Sequence, residues 1–274
     1  FDLYIYEVLK NNGISVQTVH NIVMESRKVK SESEIKLIRN SQIATEKAME
    51  KAKYIIRQSE VQDNKLYYNN NLLTSDRLKG RLKDVLSKYG CHLDESIVAS
   101  GRQSADPHKR GSGELRPNEP ILLDIYPQHQ SGYWGDMSRT FVKGTPDDEF
   151  EKMYETTREA FESALDVLSQ GSGVMAKDVH NTVCDVFESA GYPTIRDGDV
   201  DSGFLHSTGH AIGLELHEPP RLVDNDEVLE EGYVLTVEPG LYDDQYGGVR
   251  IEDMIVIKEN GYENINNFSL KFQV

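Results

Sequence analysis

Two stretches decide how this chain folds: ILLDIYPQHQSGYWGDMSRTFV, residues 121–142, and YVLTVEPGLYDDQYGGVRIEDMIVI, residues 233–257. Each reads as a hairpin. In the first, an apolar strand delivers Asp124, and Asp136 follows on the return strand before Met137 and Phe141-Val142. In the second, the apolar strand delivers Glu238, and Glu252 follows before Met254 and Ile255-Val256. The carboxylates are separated by 12 residues in the first pair and 14 in the second. A carboxylate inside an apolar strand has to be paired or bound to a metal, because burying it alone costs several kcal/mol. Here four do so, in matching places.

The segments ahead of the two hairpins match as well. A helix opens on the capping box Ser31-x-x-Glu34 and carries Ile35, Ile38, Ala48, Met49, Ala52 and Ile55 on one stripe. A polar loop, 61–71, ends it. A second helix carries Leu78, Leu82, Val85 and Leu86 and stops at Gly90, and a short strand covers 97–100. From Asp147 the order repeats. One helix carries Phe150, Met153, Tyr154, Phe161, Ala164, Leu165 and Leu168 and breaks at Gly171. Another carries Val179, Val183, Val186 and Phe187 and stops at Gly191, and a strand is expected around Phe204 to His206. Residues 34–143 and 147–258 thus share one plan of helix, helix, strand and hairpin, which makes the fold α+β with two pseudo-symmetric halves.

Residues 1–30 stand outside this plan. They hold an amphipathic piece (Phe1, Leu3, Tyr4, Val8, Leu9) and a β-like stretch from Val16 to Val23. The opening FDLYIYEVLKNNG has no methionine and no signal-peptide pattern, and reads as the interior of a longer protein. The expected division is a remnant of an N-terminal domain and linker at 1–30 and one domain at 31–274.

With 46 acidic against 30 basic residues the formal charge is −16, a balance that repels nucleic acid and anionic lipid. No apolar run approaches the roughly 18–20 residues that a membrane helix needs. Cys91 and Cys184 lie far apart with no CxxC, and read as reduced buried thiols in a cytoplasmic protein.

If the hairpins face each other, four carboxylates converge, and mutual repulsion would keep some protonated. Two divalent cations would balance the four negative charges. Oxygen-rich sites with an imidazole suit Mn, Co, Fe or Zn about 3.5–4 Å apart. The imidazole comes from HSTGHAIGLELHEPP, 206–220, where His206, His210 and His217 fall within twelve residues. Buried ion pairs are the competing reading for the carboxylates, but cations are scarce in these strands. His20, His92, His129 and His180 read as surface or satisfied core residues.

Five separated motifs, SADPH (104–108), LLDIYP with GYWGDMSRT, HSTGHAIGLELHE, TVEPG and GGVRIED, resemble those of the pita-bread metallopeptidases: methionine aminopeptidases, prolidases and Xaa-Pro aminopeptidases. The resemblance covers about residues 24–270 and implies the pita-bread fold with a central antiparallel sheet and a catalytic domain at 31–274. It implies that Asp124 binds one metal alone, Asp136 and Glu252 bridge, and His210 and Glu238 bind the second. Mn or Co is the first choice, with Zn and Fe as alternatives. His108 resembles the histidine that contacts substrate around the scissile bond, and His217 the one that steadies the carbonyl oxygen. His206 and Arg250 mark the proline-specific branch, since methionine aminopeptidases usually lack both. Arg221, in HEPPR, resembles the prolidase arginine that meets a dipeptide's free carboxylate; a plain surface arginine is its other reading.

The implied function is hydrolysis of the Xaa-Pro bond in dipeptides or short peptides. A hydroxide bridging the metals attacks the carbonyl, and Glu238 carries the proton to the leaving nitrogen. Tyr126 and Ala211 depart from the family pattern, each standing where relatives have glycine. In prolidases the N-terminal domain helps to cover the site and form a homodimer. Three alternatives remain: a methionine aminopeptidase, a metal-free creatinase-like hydrolase, which lacks the carboxylate set, and an inactive peptide-binding module, which would have lost ligands.

Overall fold

The computed structural model describes residues 3–16, 22–198 and 200–274. Helix α1 (Leu3–Asn11) buries none of its residues. Helix α2 (Ile22–Lys28) occupies the described end of the stretch read as β-like, so Ile22 and Val23 are helical. Residues 17–21, His20 among them, and Phe1 lie outside the described residues. Helix α3 (Glu32–Gln58) starts at the expected box: the Glu34 N–H donates to Ser31 Oγ, and the Ser31 N–H donates to the Glu34 carboxylate at 2.9 Å.

The polar stretch after α3 is a meander rather than a loop: β1 (Glu60–Gln62), β2 (Lys65–Tyr68) and β3 (Asn71–Leu72). Its two turns place Asp63-Asn64 (φ 48°, 58°) and Asn69-Asn70 (φ 51°, 58°) in the left-handed region. Asp and Asn tolerate that region, and such pairs match the twist of a tight hairpin. Helix α4 (Ser75–Lys88) follows and ends at Gly90, φ +70°. Then come β4 (Cys91–His92), β5 (Ile97–Ser100), β6 (Ile121–Ile125), β7 (Gln128–His129) and β8 (Met137–Phe141), with β5-β6-β8 forming an antiparallel sheet. Leu78, Leu82 and Leu86 of α4, and Ala48, Ala52 and Ile55 of α3, share a core with Leu123 and Phe141 of that sheet.

The second half repeats this. Helices α5 (Asp148–Leu168) and α6 (Ala176–Ser189) cover an antiparallel sheet built from β9 (Gly209–Ala211), β10 (Glu218–Leu222), β11 (Val234–Val237), β14 (Asp253–Ile257) and β15 (Tyr262–Asn264). The strand expected at 204–206 lies at 209–211 instead. A Cβ on Gly209 would stand 2.0 Å from the Thr236 carbonyl oxygen, so only glycine lets β9 sit this close to β11. Phe204 keeps a single bridge and buries its ring 5.2 Å from that of Phe187. The second hairpin holds two ladders, β11 with β14 and, inside it, β12 (Gly240–Asp243) with β13 (Gly247–Arg250). Pro239, which has no N–H for a ladder, separates them.

The antiparallel ladders of the two halves meet along β8, which joins them into the expected central layer. The Glu252 N–H donates to the Ser138 carbonyl (3.1 Å) and the Arg250 N–H to Thr140 Oγ1 (3.1 Å). Buried Arg139 fastens the seam, pairing with Asp253 at 2.6 Å and donating to the Glu252 carbonyl at 2.6 Å. Cys91 and Cys184 are free and buried, and no helix among the described residues is long and apolar enough to cross a membrane.

Candidate metal centre

The seam is where the acidic residues gather. Asp124 sits within β6, opposite Ser138 of β8. Asp136 immediately precedes β8 and is held by Gln42 of α3, whose Nε2 donates to the Asp136 carbonyl (2.8 Å) and whose Oε1 accepts the Asp136 N–H (2.9 Å). Glu238 directly follows β11, its N–H donating to the Thr208 carbonyl at 2.7 Å. Glu252 directly precedes β14 and accepts from Ser138 Oγ at 2.8 Å. His210, on β9, donates its backbone N–H to Thr236 Oγ1 (3.1 Å) and its Nδ1–H to the Ala211 carbonyl (3.1 Å). That leaves Nε2 facing Glu238 Oε1 at 3.5 Å and Asp136 Oδ2 at 3.7 Å.

Ligand atoms of Asp136, His210 and Glu252 all lie within 4.8 Å of one another. Three of the four carboxylates, Asp136, Glu238 and Glu252, have no Lys or Arg ion-pair partner among the described residues. Burial and then the neighbouring Glu252 push the Asp136 pKa well up; burial and then Glu238 do the same to Glu252. Burial, reinforced by Asp124 and opposed by Arg250, lifts Glu238 to about 7. Desolvation and the adjacent His217 lower His210 to about 3, so it stays neutral, the form in which an imidazole can bind a metal. Asp124 adds a buried Oδ1 with no hydrogen-bond partner among the described residues. Clustered carboxylate oxygens, a neutral imidazole with its second nitrogen already anchored, and an orphaned buried oxygen fit divalent cations.

The competing reading of a buried ion pair holds for one oxygen. Asp124 Oδ2 accepts from Arg250 Nη2 at 2.7 Å. Arg250 also donates to Tyr242 Oη (2.7 Å), Ser138 Oγ (2.9 Å) and the Pro107 carbonyl (3.3 Å). Tyr242 Oη in turn donates to His206 Nε2 at 2.8 Å, while His206 Nδ1–H donates to the Ser207 carbonyl at 2.8 Å. Burial, and after it the Arg250 cation, lowers His206 to about 3, in keeping with its accepting role. His206 and Arg250, expected to bind substrate, are thus joined through Tyr242 to Asp124, and the donors of Arg250 are committed within the protein.

The remaining residues are more open. His217 is exposed on the cavity wall, its ring 4.4 Å from that of His210 and nearly perpendicular to it. Its pKa is lowered by partial desolvation and by Arg221. Arg221 is paired in register with His210 across β9 and β10, and its exposed guanidinium has no hydrogen bond or ion pair among the described residues. His108 is exposed, with its backbone N–H capped by Asp106 Oδ1 at 2.9 Å.

All ten residues singled out by sequence, His108, Asp124, Asp136, His206, His210, His217, Arg221, Glu238, Arg250 and Glu252, line one cavity of about 780 Å3. Tyr126 lines it too, its hydroxyl kept neutral by burial. Gln42, Ser138, Thr236 and Tyr242, which hold the ligands in place, were not found by sequence reasoning. Ser138, two residues beyond Asp136, and Thr236, two residues before Glu238, lay inside motifs; Gln42 and Tyr242 did not.

Residues 36–259 match metallopeptidase family M24. The chain belongs to this family. M24 peptidases use divalent metals, and the group of Asp136, His210 and Glu252 is its possible metal site here. An uncharacterized peptidase of Methanocaldococcus jannaschii is 33% identical over 251 residues, covering 89% of this chain and 65% of that protein. An Xaa-Pro dipeptidase of Lactobacillus helveticus is 37% identical over 175 residues, 63% of this chain and 45% of that protein. The chain therefore spans less than two thirds of the length of these relatives. An X-Pro aminopeptidase structure from Thermotoga maritima matches 100% of this chain and 73% of its own with a TM-score of 0.84 at 28% identity. The fold is the pita-bread α+β fold of the M24 prolidases.

Proposed function

We propose that this M24 chain is the catalytic part of a dinuclear-metal peptidase that hydrolyses the Xaa-Pro amide bond of dipeptides and short peptides. The observation that carries the proposal is the gathering of Asp136, His210 and Glu252 within 4.8 Å, beside an orphaned Asp124 oxygen and the Glu238 carboxyl. In this reading Asp124, Asp136, His210, Glu238 and Glu252 would hold two divalent ions, Mn or Co, with Asp136 and Glu252 each serving both. The ions would supply Lewis acidity toward the scissile carbonyl and an activated water.

The protein's own groups complete the chemistry. Glu238, whose carboxyl changes state near pH 7 in the metal-free site, takes a proton from the attacking water and delivers it to the departing nitrogen. A prolyl nitrogen has no hydrogen in the substrate amide, so this delivery matters more than for other leaving groups. His217 donates a hydrogen bond to the carbonyl oxygen as negative charge builds there, and His108 contacts the substrate beside the scissile bond. Arg221, whose guanidinium has no ion pair among the described residues, donates two parallel hydrogen bonds to the dipeptide's terminal carboxylate. Arg250 and His206 act from behind, holding Asp124. In the full-length protein we propose a homodimer.

Xaa-Pro aminopeptidase activity is the second reading, favoured by the exposure of Arg221 at the rim, where a longer peptide can pass it. Rates on Xaa-Pro dipeptides and on Xaa-Pro tripeptides, with Mn, Co and Zn supplied separately, test both. Dipeptide preference supports the first reading; no hydrolysis of either class with any metal overturns both.

A further inference from the structure

Just ahead of α3, Lys30 is a buried cation, 4% exposed, with its ammonium 3.0 Å from Glu218 Oε2; the two side chains are 2% and 1% exposed. Glu218 lies next to His217 and shares a strand with Arg221. Its other oxygen, Oε1, accepts the backbone N–H groups of Leu214 (2.9 Å) and Glu215 (3.1 Å), so one carboxylate closes the turn that ends in His217. A Cβ on Gly213 would stand 2.7 Å from Glu218 Oε2, and glycine there lets the turn wrap this closely. The Trp134 N–H and indole N–H donate to the Gly213 carbonyl (3.0 Å) and the Leu214 carbonyl (3.2 Å), fixing the turn's outer edge.

The same short segment makes two further pairs with this strip of chain. Arg27 reaches Glu215 at 2.8 Å and Lys28 reaches Glu227 at 2.7 Å, while the Lys30 N–H donates to the Gly232 carbonyl at 2.9 Å. The contacts at 215, 218 and 227 thus bracket His217 and Arg221 in sequence. A fully buried ion pair is a poor source of stability, because desolvating both charges offsets most of their attraction, and an apolar pair of the same volume commonly serves as well. Desolvation outweighs Glu218 in setting the Lys30 pKa, which is lowered. What the pair supplies is position.

We propose that the segment Ile22–Lys30 is a brace for the substrate-facing turn: Lys30 acts through Glu218 to hold His217 at the working distance from His210. This rests on the role given to His217 above. Lys30 is a positioning residue, one that touches neither substrate nor metal. Because the brace enters from the N-terminal side of the catalytic body, movement of that side would be transmitted to the oxyanion end of the cavity.

The test uses Lys30→Met, Lys30→Arg and the double variant Lys30→Met/Glu218→Gln, the last removing the uncompensated charge in case the first fails to fold. Amide exchange of Leu214 and Glu215 should quicken by about tenfold or more in Lys30→Met and in the double variant, as expected for a hydrogen bond worth about 1–2 kcal/mol. Metal content should not change. On Xaa-Pro dipeptides kcat should fall about tenfold with KM within about twofold, the pattern of an interaction made in the transition state. Lys30→Arg, which keeps the charge, should recover part of the loss. Once His217 is replaced by alanine, Lys30→Met should cost no further kcat, since the two act as a unit. Unchanged exchange in the turn, or a kcat loss that persists in full without His217, overturns the brace. Should the wild type cleave no Xaa-Pro peptide, the exchange rates still decide whether Lys30 holds the turn, and the proposed substrate alone falls.

Discussion

Consider Glu238→Gln studied first in chelator. In the metal-free protein the Glu238 carboxyl keeps its proton up to about pH 7, against the ordinary 4.5, and its side chain is only 15% exposed. At roughly 1.4 kcal/mol per tenfold change in proton affinity, that displacement is worth about 3 kcal/mol. A carboxyl whose pKa is raised by folding favours the folded state while protonated. That contribution is present below pH 4.5 and is lost as pH rises from there through about 7. Above this window the wild type carries an ionised, uncompensated Glu238, and the amide variant does not. Allowing about 1 kcal/mol for disturbing the 3.4 Å contact with Thr236, Glu238→Gln should be more stable than the wild type by about 2 kcal/mol in urea unfolding near pH 8.5 with chelator. Near pH 4.5 the two should differ little. With Mn added the order should invert, because the variant has lost a charged ligand while the wild type gains the binding energy of the ions. If Glu238→Gln is no more stable than the wild type at high pH without metal, Glu238 is not a strained buried charge, and the reasoning fails.

Asp136→Asn and Glu252→Gln should each release at least one metal ion and abolish turnover, read by elemental analysis beside the rate; retention of both ions would remove their bridging role. Arg221→Ala should lower kcat/KM for Xaa-Pro dipeptides by about 10–100-fold, or about 1.4–2.7 kcal/mol, with a much smaller change for tripeptides. Equal loss on both classes would make Arg221 structural. Tyr242→Phe removes the link between Arg250 and His206 and should lower kcat by about tenfold at constant KM, the cost of one hydrogen bond to a charged group; an unchanged kcat would show that Arg250 holds Asp124 without help.

Much of this site is legible in the sequence because its residues contradict their surroundings. Asp124 within ILLDIYP and Glu238 after VLTV are charges in apolar strands, and Gly209-His210 is a small-residue strand beside an imidazole. What stayed hidden are contacts between distant, individually ordinary residues. Tyr242 looks like any strand aromatic, and Gln42 like a polar residue on a helix. Arg250 meets Asp124 across 126 residues of chain, and Lys30 meets Glu218 across 188. Helices α3 to α6 were readable from their apolar stripes, and the start of α3 also from its capping box at Ser31. The meander at 60–72 was not, because its turns use Asp and Asn rather than the glycine that usually marks a tight hairpin. The strand expected at 204–206 shifted to 209–211 because close approach to Thr236, invisible in a local pattern, decides where β9 forms.

The central claim, two ions held for Xaa-Pro hydrolysis, is tested most directly by titrating Mn into chelator-stripped protein while following the initial rate on an Xaa-Pro dipeptide. The account predicts no activity without metal and a rate that rises to a plateau at two ions per chain. Full activity in the stripped protein, a plateau at one ion, or no hydrolysis at any ratio would contradict it.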